Sequence, residues 1–124
     1  MKVLLSIKPE FVEKIFSGEK KFEYRKAIFK NNSISSVIIY STMPVGKIVG
    51  EFSFKEIHKK SPKELWRETK EYSGISKDFF FDYFKNKTEA CAIEIENVQK
   101  YEKPIDPHTM FPNFTAPQSF FYVY

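Results

Sequence analysis

The chain has 124 residues, of which 42% are hydrophobic and 29% are charged, and this length predicts one compact domain over residues 1–124. No apolar run approaches the ~20 residues of a membrane span, and the N-terminus lacks the apolar core of a secretory signal, so we expect a cytoplasmic protein with no membrane partner. A single cysteine, Cys91, excludes an internal disulfide. His58 and His108 have no zinc-ligand spacing, so we expect neither a metal nor a cofactor.

The positive charge of the chain, +4 in total, is concentrated in its first half. Residues 1–60 carry twelve basic and six acidic side chains, whereas residues 61–124 carry eight basic and ten acidic ones. Positive potential raises the local concentration of polyanions, so this distribution favours an anionic partner that approaches the N-terminal half. A surface that is simply rich in lysine is the alternative for a net charge this small.

The first half of the chain predicts one helix among four strands. The strands are expected at residues 3–7, 20–26, 36–41 and 48–57, and the helix begins at Pro9 and ends at Gly18. In the second strand Phe22 and Tyr24 alternate with charged residues, which gives an apolar face and a charged face. Gly50 indicates a bulge or bend in the fourth strand.

The second half predicts two helices followed by two strands. Ser61 and Glu64 form a capping box that starts a helix, and Gly74 ends it. A second helix runs over 76–84, and its residues Phe79, Phe80, Tyr83 and Phe84 are predicted to pack on the sheet. A strand at 89–99, an irregular proline-rich loop at 103–117 and a strand at 120–124 complete the chain. This order predicts an α+β fold with a small barrel, because closure hides the edges of short strands.

The segment Gly18-Glu19-Lys20-Lys21-Phe22-Glu23-Tyr24-Arg25 is the most informative one. A strand face with several charges is costly unless it is solvated or built for a ligand. The pattern Gly-x-Lys-x-x-Glu-x-Arg, placed after a first strand and a short helix that begins Lys8-Pro9, resembles the ASCH domains of the PUA-like superfamily. The similarity continues through Tyr40-Ser41 with Pro44, the strand at 48–54, and Pro117-Gln118-Ser119-Phe120. It therefore covers nearly the whole chain.

This resemblance implies a small PUA-like β-barrel with short helices packed at its ends and a cleft beside the strand at 18–25. Relatives with this fold mostly bind RNA or modified nucleobases, so an RNA- or nucleotide-binding module is the leading hypothesis. The residues expected to line the cleft and bind the ligand are Lys8, Lys20, Glu23, Arg25, Ser41, Gln118 and Ser119, with Ser6 beside them. The alternative for Glu23 and Arg25 is a purely structural ion pair, and for the serines and Gln118 it is the capping of a nearby turn.

Physical chemistry agrees with a ligand that carries a phosphate or a base. Arg25 offers a planar fork of donors and Lys20 adds a point charge, while Glu23 can accept a hydrogen bond from an exocyclic amine. The C-terminal segment at 120–124 either closes the sheet or forms an apolar patch for a protein partner. The sequence leaves open whether the protein is an enzyme.

The alternative function is that of a small metal-independent hydrolase, with Lys20 and Glu23 as the candidate catalytic residues. In a ribonuclease, Lys20 or Lys8 would stabilise the phosphorane and Glu23 or a serine would transfer a proton. A bacterial ASCH subgroup resembles an amidohydrolase of acylated cytidine, with a Lys, a Thr at the position of Glu23 and a Glu near the turn between the later helices. Here Glu23 replaces the Thr, and the turn at 72–75 has no acid, with Glu71 the nearest. The amidohydrolase machinery is therefore incomplete.

Overall fold

The computed structural model describes all residues from 1 to 124, and none of its helices is long and apolar enough to cross a bilayer. The strands are β1 (Lys2–Ile7), β2 (Phe22–Arg25), β3 (Ser36–Ser41), β4 (Lys47–Lys60), β5 (Ala90–Ile105) and β6 (Phe120–Val123). The helices are α1 (Pro9–Ser17), α2 (Pro62–Thr69), α3 (Lys77–Tyr83) and α4 (Pro107–Met110), and a 3-10 turn at Lys70–Tyr72 follows α2. The predicted order of the six strands and of the first three helices is confirmed, whereas α4 was not predicted.

The six strands form one mixed sheet in the order β2-β5-β4-β3-β1-β6. Strands β1 and β3 are parallel, and every other neighbouring pair is antiparallel. The α+β class is therefore confirmed, but the sheet is barrel-like rather than closed, because the edge strands β2 and β6 do not pair with each other. The strand β2 has only four residues and leaves a gap at this edge.

Local signals in the sequence account for most element boundaries. The Ser61 hydroxyl accepts a hydrogen bond from the Glu64 N–H, and Gly18 ends α1 in the left-handed conformation. The predicted bulge at Gly50 is confirmed, since the register between β3 and β4 shifts at this point. A Cβ atom on Gly50 would lie 2.5 Å from the carbonyl oxygen of Gln99, so this close approach of two backbones requires glycine.

The longest strands extend beyond their predicted ends. β4 continues to Lys60 and β5 to Ile105, because the two pair with each other along their length. The prediction of an irregular proline-rich loop over 103–117 is therefore wrong for its first part. Residues 103–105 belong to β5, and residues 107–110 form α4. The outer part of β5 is exposed and polar, so it carries no apolar alternation from which a strand could be predicted.

Helices α2 and α3 cover one end of the sheet through a small core that includes Leu65, Phe80 and Phe84. The predicted packing of α3 is confirmed for Phe80 and Phe84, whose exposed fractions are 0% and 2%. Phe79 is 39% exposed, so its predicted burial is wrong. The helix carries aromatic side chains on more than one face, and the sheet covers only one of them.

A buried hydrogen-bond chain attaches β2 to α2. The Thr69 hydroxyl donates to the carbonyl of Leu65 at 2.7 Å and lies 2.6 Å from the Tyr24 hydroxyl, which therefore acts as the donor to Thr69. Burial raises the pKa of Tyr24 to about 12, so the phenol keeps its proton. This chain fixes the strand that carries the charged motif against the helical end of the molecule.

We expect Thr69→Val to lower the free energy of unfolding by about 1–3 kcal/mol, because it leaves the buried Tyr24 hydroxyl without a partner. Adding Tyr24→Phe removes the unsatisfied hydroxyl and should restore part of the loss. Urea denaturation of both single variants and the double variant measures this coupling. A double variant that loses the sum of the two single effects would contradict the hydrogen-bond chain.

Candidate functional site

A cavity of about 240 Å³ lies at the gap beside β2, where β1, α1 and α3 converge. Its polar lining consists of Ser6, Lys8, Lys20, Glu23, Arg25 and Gln118. Its apolar lining consists of Ile7, Phe11, Tyr24, Ile75, Phe79 and Tyr83. The lining therefore combines charged groups with mainly aromatic side chains.

Three charged side chains of the motif, one just before β2 and two on it, are buried rather than solvated. Lys20, Glu23 and Arg25 are 2%, 6% and 8% exposed. Glu23 Oε2 accepts from Arg25 Nε at 3.0 Å and lies 2.9 Å from Arg25 Nη2. The ion pair considered as an alternative from sequence is thus present, and it lies in the wall of the cavity.

Arg25 also bridges the open edge of the sheet. Its Nη2 donates to the carbonyl of Ser6 on β1 at 2.7 Å, and its Nη1 donates to the carbonyl of Ser119, next to β6, at 3.2 Å. One planar guanidinium therefore satisfies two backbone carbonyls and one carboxylate. These contacts link β2 to the opposite edge of the sheet, so Arg25 is a positioning residue for the cavity.

Lys20 is held where its ammonium group reaches the cavity. Its Nζ donates to the carbonyl of Ser73 at 2.8 Å and lies 4.8 Å from the ring centroid of Tyr24. Burial disfavours the charged form and lowers the pKa of Lys20 to about 8, although the nearby Glu23 carboxylate acts in the opposite direction. At neutral pH the group is still mostly protonated.

Gly74 makes room for the Lys20 side chain. A Cβ atom at this position would lie 2.6 Å from Lys20 Cβ, and the residue has a φ of +69°. The neighbouring Lys14 donates to the carbonyl of Gly74 at 3.0 Å. The turn before α3 is therefore fixed by two lysines, and it forms one side of the Lys20 pocket.

Two buried groups of the motif retain hydrogen-bonding capacity for a ligand. Lys20 donates one hydrogen bond within the chain, which leaves two of its N–H groups available. Glu23 uses Oε2 for Arg25, and its Oε1 has no hydrogen-bond partner in the chain. The buried part of the motif thus presents the Lys20 ammonium and the Glu23 carboxylate to the cavity, beside aromatic rings.

The structure brings together most of the residues proposed from sequence. Lys8, Lys20, Glu23, Arg25 and Gln118 line the cavity. The Ser6 hydroxyl donates to the carbonyl of Pro117 at 2.8 Å and so holds the segment that carries Gln118. The ligand-binding role of these residues remains a prediction.

Two proposed residues do not line the cavity. Ser41 is 2% exposed within the sheet, where it pairs with Ile7 and Lys47. Ser119 contributes its backbone carbonyl to Arg25, and its side chain is not part of the lining. The sequence placed both at strand ends, but the strand end alone does not determine which way a side chain points.

Aromatic residues of the cavity were missed from the sequence. The helical spacing predicts that Phe79 and Tyr83 pack on the sheet, yet together with Phe11 they belong to the apolar lining of the cavity. Phe11 and Phe79 contact each other edge to face, with ring centroids 5.4 Å apart. The signal available was the number of aromatic residues in α3, which exceeds what one buried face of a short helix can hold.

The features of an amidohydrolase are not assembled here. Glu71 is exposed and lies outside the cavity, and Glu23 is the one carboxylate in the lining. No hydroxyl stands at the position of Glu23. The cavity therefore lacks the paired nucleophile and acid of that reaction.

Three side chains of the kinds that bind metal ions lie together outside the cavity, on the strands β4 and β5. Ligand atoms of Glu56, His58 and Glu94 lie within 4.8 Å of one another. His58 Nδ1 is 3.1 Å from Glu56, and its Nε2 is 2.8 Å from Glu94. Both ring nitrogens are thus engaged by carboxylates, which is the arrangement of a hydrogen-bonded histidine rather than of a ready ligand.

We expect Arg25→Met to lower the free energy of unfolding by about 3–5 kcal/mol, because Glu23 would be left buried without its counter-charge. Arg25→Lys keeps the charge but cannot span three acceptors, so its loss should be intermediate. Lys30→Met, an exposed site, serves as the control. Chemical denaturation measures the free energy of unfolding of each variant. An Arg25→Lys variant as stable as the wild type would rule out the bridging role.

Solved structures and characterised proteins resemble this chain over nearly all of its length. The crystal structure of ASCH from Zymomonas mobilis superimposes with a TM-score of 0.92 at 27% identity and covers 99% of this chain and 87% of that one. A single-substitution variant of the same protein gives a TM-score of 0.92 at 26% identity, with 99% and 90% covered. An ASCH domain-containing ribonuclease of Zymomonas mobilis is 29% identical over 119 residues, which are 94% of this chain and 80% of that protein.

Parts of two larger proteins of Ureaplasma parvum are also similar. ATP synthase subunit alpha is 32% identical over 105 residues, which are 84% of this chain and 13% of that protein. Large ribosomal subunit protein uL22 is 27% identical over 104 residues, which are 84% of this chain and 33% of that protein. The chain thus spans a third or less of these two relatives.

The family model for the ASCH domain matches residues 5–105, which is most of the chain. The match includes the whole of the charged motif, α1 to α3 and the long pair of β4 and β5. On this ground the chain belongs to the ASCH domain family.

Proposed function

We propose that this protein binds single-stranded RNA, with one nucleotide held in the cavity beside β2. The observation that carries the proposal is the buried Lys20 ammonium, which keeps two free N–H groups in a cavity with aromatic walls. A phosphate oxygen is a strong acceptor for such a cation. The ribonuclease name of a relative that aligns with 94% of this chain adds support for RNA.

The size of the cavity favours a single unpaired nucleotide. Its volume of about 240 Å³ is below the roughly 300–1,000 Å³ of pockets for drug-sized ligands. A duplex cannot enter such a space, whereas an unstacked base can lie against aromatic side chains. Phe79, which is exposed at the rim, supplies a ring for this contact.

Each polar group has a role in this arrangement. Lys20 contacts a phosphate, and Lys8, exposed with its Nζ 5.3 Å from the Phe79 ring centroid, attracts the strand at the rim. Glu23 Oε1 accepts from the amine of a base, as carboxylates do from cytosine N4. Arg25 keeps Glu23 in place through their ion pair.

The affinity for RNA should fall as pH rises through about 8, the pKa of Lys20. Below this pH the group is charged and binds phosphate; above it the group is neutral, so the charge-assisted contact is lost. A contact of about 1.5–3 kcal/mol corresponds to a decrease of about ten- to a hundredfold. Fluorescence anisotropy with labelled single-stranded RNA across this pH range measures the change.

Two variants in the cavity distinguish the contribution of Lys20 to the pH dependence from that of other titrating groups. Lys20→Met should bind weakly at every pH, while Lys8→Met should keep the pH dependence with a lower overall affinity. A wild-type affinity that stays constant through pH 8, or a Lys20→Met variant that retains the decrease, would exclude Lys20 as the phosphate contact.

A ribonuclease is the second candidate, favoured by the relative with that name and by the neighbouring Lys20 and Glu23 in one cavity. The 2′-oxygen of the bound nucleotide attacks the adjacent phosphorus, and its proton passes to Glu23 Oε1. The bond from phosphorus to the 5′-oxygen breaks, and this oxygen takes a proton from Lys20. The products are a 2′,3′-cyclic phosphate and a 5′-hydroxyl, and no metal takes part.

We expect that any cleavage by the wild type persists in EDTA and stops when the 2′-hydroxyls of the RNA are replaced by hydrogen. Glu23→Gln keeps the shape of the side chain but removes the proton acceptor, so it should abolish cleavage and leave most of the binding. Gel analysis of end-labelled RNA identifies the products. Cleavage of the 2′-deoxy strand, or loss of cleavage in EDTA, would contradict this mechanism, while binding without cleavage supports the first candidate.

A further inference from the structure

We propose that a second surface, the groove between α2 and α3, binds the RNA strand that continues from the nucleotide in the cavity. The groove has a volume of about 480 Å³ and is lined by Lys63, Trp66, Arg67, Lys70, Lys77 and Phe81. It combines four cations with two aromatic rings. The inference rests on the proposed function, since it assigns the path of the same ligand.

The composition of the groove results from helical spacing. Lys63, Trp66, Arg67 and Lys70 stand at positions i, i+3, i+4 and i+7, so they share one face of α2 and its 3-10 extension. Lys77 and Phe81 are four residues apart and face them from α3. The net charge of the second half of the chain is negative, so a count of charges along the sequence does not reveal this local concentration of positive charge.

The four cations of the groove are free to meet a polyanion. None of them lies within ion-pair distance of a carboxylate in the chain, and all four are exposed. On α2 the acids occupy another face, and Glu68 is already paired with Lys60 at 2.7 Å. Removing unpaired surface charges costs the fold little, which makes the groove suitable for substitution.

The aromatic rings favour nucleic acid over an acidic peptide. Trp66 is half-buried, with its ring centroid 6.2 Å from that of Phe81, so both present part of a ring at the surface. Bases stack on such rings while phosphates meet the surrounding cations, a combination typical of single-strand binding surfaces. An acidic peptide would pair with the four cations but would make no use of the aromatic rings.

Helix α3 connects the groove to the cavity. Phe79 and Tyr83 line the cavity, whereas Lys77 and Phe81 line the groove, and Phe80 is buried beneath the helix. An α-helix is about 10–12 Å across with its side chains. A strand that leaves the cavity therefore crosses one helix to reach the second set of contacts.

The test compares two triple variants that remove the same number of charges. Arg67→Gln, Lys70→Gln and Lys77→Gln alter the groove, and Lys85→Gln, Lys87→Gln and Lys103→Gln are the matched control at exposed sites outside it. The probes are a trinucleotide and an RNA of about ten nucleotides, a length within the range that single-strand binding surfaces cover. Binding is measured over a salt series by anisotropy.

We expect the groove variant to bind the longer RNA about tenfold more weakly than the control, with a log–log salt slope shallower by about 2, at about 0.7 per lost phosphate contact. Both variants should bind the trinucleotide equally. Trp66 is the only tryptophan of the chain, so its fluorescence reports the groove directly. The longer RNA should quench it, and the trinucleotide should not.

The outcomes separate this inference from the proposed function. If the two triple variants bind the longer RNA with the same affinity and salt slope, the groove is not part of the RNA path, while binding in the cavity stands. If wild-type protein binds neither RNA, the proposed function fails and this inference with it. Stronger quenching of Trp66 by polyglutamate than by RNA of equal length would assign the groove to an acidic protein and overturn the proposal.

Discussion

The hydrogen bonds of Arg25 are the interaction on which the rest of the structure depends. The sheet has two free edges, and no backbone ladder joins β2 to β6. Arg25 spans this gap by donating to the carbonyls of Ser6 and Ser119 while it pairs with Glu23. A barrel closed by backbone pairing would leave no opening here. Closure by one side chain instead leaves a gap between β2 and β1, and that gap is the cavity.

Burial of the charged motif lowers the stability of the fold, and it is also the basis of the proposed anion binding. A lysine that is 2% exposed loses hydration, and the protein returns only one hydrogen bond, from the carbonyl of Ser73. Burial is also the main cause of the lowered pKa of Lys20. A phosphate in the cavity would supply the missing acceptor. The same deficit that weakens the fold would therefore strengthen the proposed binding of an anion, as is common at functional sites.

Helix α3 organises both candidate surfaces, although it is only seven residues long. Its aromatic side chains point in three directions, with Phe80 into the core, Phe79 into the cavity and Phe81 toward the groove with Trp66. The turn before it is held by Lys14 and Lys20. A helix this short has little stability of its own, so its orientation depends on these contacts with the rest of the chain.

The sequence by itself determined the order of elements, the capping of the helices, the bulge at Gly50 and the motif that carries the site, because these follow from local backbone preferences and side-chain alternation. Only the tertiary structure decided that Glu23 and Arg25 are buried, that Ser41 does not line the cavity and that the aromatic residues of α3 divide among three environments. Periodicity tells which side chains share a face, but it does not tell what that face meets. Contacts between β2, β1 and α3 join residues distant in sequence, and such contacts leave no local pattern from which they could be predicted.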